Sequence, residues 1–138
     1  MPKAELIDDF KISMEYLQGP VLKDVLDKEV KLAKKIGATV AKMHDLLIAH
    51  QDLTTSNMIL KDGEIYLIDF GLAFHTRRYE DFAVDIHLFK QALESKHHKI
   101  REKAMEEFWK GYKSKDLEKI RERFEKVEQR GRNKIKGY

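Results

Sequence analysis

The sequence predicts a mainly α-helical domain that contains two short β-hairpins. Two long stretches, 27–47 and 80–129, carry apolar residues three and four positions apart, the spacing that places them on one helix face. Two shorter stretches, 4–16 and 58–68, combine extended apolar patterns with turn-forming residues, which indicates hairpins. With 138 residues, 42% of them hydrophobic, the chain is long enough for one folded domain.

The first predicted hairpin lies near the N-terminus. Residues 4–7 and 10–16 flank the turn-prone pair Asp8-Asp9, and apolar residues alternate with polar ones at the end of the second strand. Gln18-Gly19-Pro20 then ends the extended run.

A long helix over Asp27–Leu47 is predicted next, followed by a polar loop over 49–57 that has neither helical nor strand periodicity. The second hairpin joins 58–60 to 64–68 through a turn that contains Asp62-Gly63. Polar loops between regular elements are common places for catalytic and binding residues, so we expect chemistry in 49–57.

The chain after Glu80 is predicted to form three successive helices, with Gly131 ending the last of them. His97-His98 is interpreted as a solvated helix start. An aromatic cluster in the middle helix is interpreted as helix-packing core; its members are Phe108, Trp109 and Tyr112.

Composition excludes several classes of protein. There is no cysteine, so disulfide frameworks, thiolate zinc sites and cysteine nucleophiles are excluded. No apolar run approaches a membrane span and no signal peptide is evident, which predicts a cytoplasmic protein without a membrane partner. The net charge of +3 is too small to imply a nucleic-acid partner by itself, but the last nine residues contain four basic residues and no acid.

The most informative motif is His50-x-Asp52 followed by Asn57 and, across the predicted hairpin, by Asp69-Phe70-Gly71. Phosphoryl transfer needs a carboxylate to orient or accept the proton of the attacking oxygen, and oxygen ligands for Mg²⁺. This spacing assigns Asp52 as the base and Asn57 and Asp69 as metal ligands. The hairpin should bring Asn57 and Asp69 to the same edge.

These motifs resemble a protein-kinase C-terminal lobe. Residues 43–44 and 48–52 are similar to the Leu-His-x-x-x-Ile-x-His-x-Asp run of kinases. The resemblance implies structural roles for His50, which bonds to the backbone, and for Asp85, which supports the catalytic loop. Thr54 stands where many kinases have a phosphate-contacting lysine.

A closer resemblance is to the PRPK family, the small atypical kinases of the KEOPS tRNA-modification complex. It rests on residues 52–59 and 67–72, with 14–19 similar to that family's hinge and Arg130-Gly131-Arg132 similar to its basic C-terminus. The resemblance implies ATP and Mg²⁺ as cofactors, Ser/Thr kinase or ATPase activity, and support of threonylcarbamoyladenosine formation in tRNA. It implies the threonylcarbamoyl-transferase subunit of KEOPS as the direct partner, with other KEOPS subunits.

The same resemblance divides the chain into the last strands of a small lobe and the hinge (1–19), a kinase-like C-terminal lobe (20–129) and a basic tail (130–138). It also implies two further sets of residues. The nucleotide-binding set is Met14, Glu15, Tyr16, Leu17, Ile59 and Ile68, and the set for contact with tRNA or a partner is Arg130, Arg132, Lys134 and Lys136. A solvated terminus is the alternative interpretation of the tail.

Three departures from the kinase pattern are visible. Gln51 stands where the family usually has glycine. The glycine loop, lysine and glutamate of a small lobe are not found before the hinge, so the 138-residue chain is expected to bind ATP weakly and to turn it over negligibly. Only residues 72–79 separate Gly71 from the next helix, which disfavours a regulated peptide kinase.

Two alternative functions stay open. One is another atypical phosphotransferase of the RIO or aminoglycoside-kinase type, although an acidic helical insert for a cationic substrate is absent. The other is a non-catalytic, kinase-like docking module, which nucleotide turnover would distinguish from both enzymes.

Overall fold

The computed structural model describes residues 18–136, with the side chains of 18–131. The predicted first hairpin and the hinge residues Met14, Glu15, Tyr16 and Leu17 lie outside the described residues. Five helices and two antiparallel strand pairs make up the described part of the chain, which confirms the mainly α fold class.

The five α-helices follow one another along the chain, and both strand pairs lie between the second and the third of them. Their bounds are α1 Leu22–Val25, α2 Leu32–Asp45, α3 Tyr79–Lys96, α4 Arg101–Gly111 and α5 Leu117–Lys136. Short 3₁₀ helices occupy Leu26–Lys28, Thr55–Asn57 and His98–Ile100.

The core lies between α2 and α4, whose backbones approach unusually closely. A Cβ atom on Gly37 of α2 would lie 2.1 Å from the Phe108 carbonyl oxygen, and one on Gly111 of α4 would lie 1.9 Å from the Lys34 carbonyl oxygen. Neither position can therefore hold a side chain without moving a helix. This contact places Tyr112, which is fully buried, beside the C-terminal half of α2.

The predicted second hairpin is confirmed, with β2 over Met58–Lys61 and β3 over Glu64–Leu67. Met58 pairs with Leu67 and Lys61 with Glu64, and Asp62 and Gly63 form the turn with φ angles of 53° and 77°. The segment that precedes α1 lies against β2, since the Leu60 N–H donates to the Pro20 carbonyl at 2.9 Å.

A second strand pair was not predicted. Ile48–Ala49 (β1) pairs with Phe74–His75 (β4), on either side of the catalytic-loop motif and the Asp-Phe-Gly motif. The Thr76 N–H also donates to the Leu47 carbonyl at 2.8 Å. The start of the polar loop is thereby joined to the end of the segment that follows Gly71.

Three sequence predictions were wrong in detail. The first long helix begins at Leu32 and not at Asp27, because the chain forms separate short helices over 22–28. The last helix continues through Gly131 to Lys136; a glycine within a helix costs only about 1 kcal/mol, and α5 is held along α3. His98 is exposed as expected, but its neighbour His97 is buried.

Candidate active site

The polar loop predicted to carry chemistry is anchored by one carboxylate. Asp85, fully buried in α3, accepts four hydrogen bonds. Oδ2 accepts from the His50 backbone N–H at 2.9 Å and from His44 Nε2 at 2.8 Å. Oδ1 accepts from the Gln51 backbone N–H at 2.7 Å and from Gln51 Nε2 at 3.0 Å. Because each carboxylate oxygen accepts two hydrogen bonds, Asp85 fixes the backbone just before Asp52.

The anchor extends back to the end of α4. Burial, together with the nearby carboxylates Asp45 and Asp85, raises the pKa of the Tyr112 phenol, so its hydroxyl stays protonated. It donates to His44 Nδ1 at 2.6 Å, while the other ring nitrogen of His44 faces Asp85. Tyr112, predicted only as packing core, is therefore also the outer end of a hydrogen-bond chain that leads to the loop.

His50 lies inside the loop, where its ring bonds to two backbone groups. Its Nδ1 accepts from the Asp52 N–H at 3.1 Å, so its proton is on Nε2, which donates to the Ile68 carbonyl at 2.8 Å. His50 is fully buried and its ring packs edge-on against Phe70. It therefore ties the loop to the strand that leads into Asp69.

The backbone conformation of Gln51 is one that glycine adopts more easily than other residues. Its φ angle is 70°, in the left-handed region that favours glycine and costs another residue roughly 1 kcal/mol or more. The glutamine side chain offsets this cost, because Nε2 donates both to Asp85 and to the Asp81 carbonyl, at 3.2 Å. The glutamine is thereby held in a backbone conformation that glycine would adopt without strain.

Asp52 and Asn57 are in direct contact. Asn57 Nδ2 donates to the Asp52 backbone carbonyl at 2.8 Å and to Asp52 Oδ2 at 3.1 Å. Both side chains are partly buried. Because the amide nitrogen of Asn57 is used in these bonds, its oxygen points away from Asp52 and is the atom left to bind a cation.

The hairpin brings Asn57 to the same end as Asp69. The Ile68 N–H donates to the Asn57 carbonyl at 2.9 Å, one residue before Asp69, in line with the pairing of Met58 with Leu67. Asp69 is exposed and has a φ angle of 61°, a strained conformation for a non-glycine residue. Carboxylate and amide oxygens are the ligands that Mg²⁺ prefers.

Sequence reasoning missed a second anchor of the loop. His97 Nδ1 lies 2.8 Å from Asp27 Oδ1, and its Nε2 lies 2.8 Å from Thr55 Oγ1. Both His97 and Thr55 are buried. Because the Asp27 carboxylate can only accept, Nδ1 carries the proton and donates to it, and Nε2 accepts from the Thr55 hydroxyl. His97 thus joins the C-terminal end of α3 to the 3₁₀ turn between Asp52 and β2.

The remaining described candidate residues are distributed over the hairpin, the loop and α5. Ile59 and Ile68 are partly buried, and Ile59 forms a β-bridge with Val21 next to the segment 18–20. Thr54 is partly buried. Of the basic tail, Arg130 bonds to Glu80 of α3, and 132–136 continue the helix.

Within residues 18–131, no cluster of three or more histidine, aspartate or glutamate side chains has the arrangement of a metal site. Magnesium commonly binds through one or two protein ligands together with the phosphates of its nucleotide. The pair Asn57 and Asp69 fits that mode of binding. None of the helices within 18–136 is long and apolar enough to cross a membrane.

Comparison with known proteins places these residues among kinases. The model of the lipopolysaccharide kinase (Kdo/WaaP) family matches residues 14–112. The KEOPS complex subunit Bud32 of Pyrococcus abyssi is 44% identical over 130 residues, which cover 88% of this chain and 59% of that protein. A probable serine/threonine-protein kinase BUD32 homolog of Archaeoglobus fulgidus is 35% identical over 127 residues, covering 91% of this chain and 64% of that protein.

A longer relative is a probable bifunctional tRNA threonylcarbamoyladenosine biosynthesis protein of Methanocaldococcus jannaschii. It is 44% identical over 108 residues, which cover 78% of this chain and 20% of that protein. The chain therefore spans about three fifths of the shorter relatives and a fifth of the longer one.

Proposed function

The chain belongs to the lipopolysaccharide kinase (Kdo/WaaP) family and is related to the Bud32 (PRPK) proteins. We propose that it supplies the catalytic large lobe of an ATP- and Mg²⁺-dependent atypical kinase or ATPase. The resemblance that the motifs indicated is confirmed by this family membership. The names of the relatives do not favour a RIO-type or aminoglycoside kinase or a docking module. The activity of the whole protein is proposed and not shown, because this chain spans only part of these relatives.

The observation that supports this function best is the contact between Asn57 and Asp52 on a loop that Asp85 anchors. Asp52 orients the attacking hydroxyl or water and accepts its proton. Asn57 both holds that carboxylate and presents its own oxygen. Asp69, at the same end of the hairpin, presents the charged oxygens for the ion that accompanies ATP. When bound, Mg²⁺ neutralises negative charge on the transferred phosphoryl group.

The nucleotide is proposed to lie over Ile59 and Ile68 and to bind the hinge residues Met14, Glu15, Tyr16 and Leu17, which are outside the described residues. Gly19 supports this placement, because a Cβ atom there would lie 2.3 Å from the Leu60 carbonyl oxygen, so the segment 18–20 lies directly on β2. The partly buried Ile59 and Ile68 supply an apolar floor of the kind that nucleotide bases bind.

The cellular role is proposed from the relatives named above. The chain acts in a KEOPS-type complex in the cytoplasm, with the threonylcarbamoyl-transferase subunit as its direct partner and other KEOPS subunits nearby. Its activity supports threonylcarbamoyladenosine formation in tRNA. The basic residues of the tail contact the tRNA; they are Arg130, Arg132, Lys134 and Lys136.

The assignment of roles is tested by two substitutions in the chain joined to a kinase-type small lobe. Asp69→Ala is expected to lower ATP turnover by about a thousandfold or more and to weaken the Mg²⁺ dependence of ATP binding. Asp52→Ala is expected to lower turnover by about a hundredfold to ten-thousandfold but to leave ATP affinity nearly unchanged. ADP release and nucleotide titration measure the two effects.

Asp24→Ala, which removes an exposed carboxylate on α1, is the matched control and should change neither quantity. An equal loss of ATP affinity in the Asp52 and Asp69 variants would contradict the division of roles. Unchanged turnover in both would contradict the enzyme function itself.

A further inference from the structure

A basic cleft lies at the junction of α3 and α5, apart from the candidate active site. We call it the arginine cleft; its volume is about 420 Å³, and it is lined by Arg78, Tyr79, Glu80, Arg123 and Arg130. Arg78 and Tyr79 stand at the start of α3, and Arg123 and Arg130 are two turns apart on α5. Residues distant in sequence thus converge on one concave surface.

The charges of the arginine cleft are unbalanced. Glu80 is its only carboxylate among the lining residues; it bonds to Arg130 and lies 3.8 Å from the Arg123 guanidinium. Arg78 lies 3.9 Å from Asp81, but that carboxylate already accepts the Thr76 hydroxyl at 2.7 Å. The arginine side chains are 73%, 42% and 60% exposed in chain order. Most of their N–H donors therefore face solvent.

This arrangement suits a phosphate group. A guanidinium presents paired N–H donors that match the oxygens of a phosphate, and two guanidiniums that share one acid can exchange it for a more highly charged anion. Glu80 occupies the place of such an anion in the structure. It is only 26% exposed, so it competes with an incoming phosphate at short range.

The sequence beyond the arginine cleft indicates an anion with many phosphates. Helix α5 continues to Lys136, and after Glu128 the chain has no acidic residue but has Arg132, Lys134 and Lys136. A single phosphorylated side chain would need no such extension. A basic run that leads away from a cleft of arginines matches the repeated charges of a nucleic-acid backbone.

We propose that the arginine cleft binds the phosphate backbone of RNA, with Glu80 as an internal competitor and the end of α5 as a continuation of the path. This inference rests on the tRNA role proposed above and adds Arg78 and Arg123, which lie outside the tail. It also places the RNA near the catalytic loop, because Asp81, next to Glu80, accepts a hydrogen bond from Gln51 through its carbonyl.

The test compares variants of the full chain in binding to an unmodified tRNA transcript over a range of salt concentrations. Replacing Arg78, Arg123 and Arg130 together by glutamine should weaken binding about tenfold or more and lower the slope of log affinity against log salt by about two. The control replaces three exposed lysines elsewhere, Lys99, Lys113 and Lys115, by glutamine. It removes the same charge and should change the affinity less than about threefold.

Glu80→Gln separates RNA contact from a loss of helix packing. Like the triple variant, it breaks the two ion pairs of Glu80 with Arg123 and Arg130, but it leaves the guanidiniums free, so it should tighten tRNA binding by a few-fold. Weaker binding in this variant would overturn the proposal, because it would mean that the ion pairs act only by holding α5.

Three further outcomes test whether the arginine cleft is an RNA-binding site. Equal losses in the triple variant and the lysine control would reduce the effect to overall charge and overturn the arginine cleft as a site. So would a phosphoserine peptide that displaces tRNA at equal phosphate concentration. ATP turnover, measured on the same variants joined to a small lobe, should stay unchanged. Normal turnover with unaltered tRNA binding would remove the cleft while leaving the enzyme function intact.

Discussion

Asp85 and Glu80, five residues apart on α3, differ in how they bind their neighbours: one through buried hydrogen bonds and the other through exposed ion pairs. Asp85 is fully buried and accepts four hydrogen bonds from His44, His50 and Gln51. Glu80 is partly exposed and interacts with two flexible arginines of α5. The first arrangement fixes a backbone with directional bonds that water cannot replace, and the second joins two helices by charges that salt can screen. The polar loop over 49–57 is therefore the rigid region and the α3–α5 seam the adjustable one.

Removing the buried carboxylate of Asp85 should have the largest effect on stability. Asp85→Ala leaves two backbone N–H groups, His44 and the Gln51 amide without their acceptor, and should lower the free energy of unfolding by about 3–5 kcal/mol. Denaturant unfolding measures the loss, with Asp24→Ala as the surface control. A loss below about 1 kcal/mol would mean that the loop does not depend on this anchor.

His97 tests whether the second anchor of the loop is equally rigid. His97→Ala leaves the buried Thr55 hydroxyl unpaired and opens a cavity at the end of α3, so a loss of about 2–3 kcal/mol is expected. His98→Ala is the matched control, because it removes an exposed ring from the next position and should cost less than about 0.5 kcal/mol. Similar losses in the two variants would contradict the role given to His97.

Glu128 lies between the two extremes, since it is on the seam but is only 8% exposed. Burial by itself would raise the pKa of Glu128, but hydrogen bonds from Lys90 and His87 outweigh it and hold the pKa below its ordinary value. A carboxyl whose pKa is lowered in the folded state stabilises the fold above its unfolded-state pKa, and this contribution is lost as the pH falls through the folded-state pKa.

Glu128→Gln should therefore cost about 1–2 kcal/mol at neutral pH and progressively less in acid. Denaturant unfolding of both proteins from neutral to acidic pH measures the difference. A cost that does not change with pH would show that Glu128 acts by packing and not by its charge.

The smallest effect is expected on the exposed side of the seam. Arg123→Ala should change the free energy of unfolding by less than about 0.5 kcal/mol, and added salt should reduce even that difference. Thermal unfolding at low and high salt is the measurement. A loss comparable to that of the Asp85 variant would remove the distinction between the two regions.

The rigid region was also the more predictable one. The spacing of Asp52, Asn57 and Asp69, with a glycine turn between them, predicted the loop and the hairpin because these features are local in sequence. The second anchor was not predictable in this way, since His97 meets Thr55 and Asp27 across 42 and 70 residues. Nothing in a pair of adjacent histidines distinguishes the buried one from the exposed one.

The wrong prediction for the end of α5, on the α3–α5 seam, has a related cause. Gly131 was expected to end the last helix because glycine often does so, but helix ends depend on packing as well as on propensity. The nearest atom to a Cβ built at Gly131 is His87 Cε1, at 3.9 Å, so α5 still lies beside α3 at that point. A local pattern cannot report a neighbour that lies more than 40 residues earlier.

The segment from Phe70 to Tyr79 is ordered by backbone hydrogen bonds near both of its ends. It is closed at one end by the Ala73–Phe70 turn and at the other by the pairing of β1 with β4 and the bond from Thr76 to Leu47. Many kinases are switched on when phosphorylation orders this segment. Here its only hydroxyls are Thr76, which is buried and bonded to Asp81, and Tyr79, which is partly buried. To reach Thr76, a modifying enzyme would first have to unfold the segment, so phosphorylation of this residue would disorder a closed loop and not order an open one.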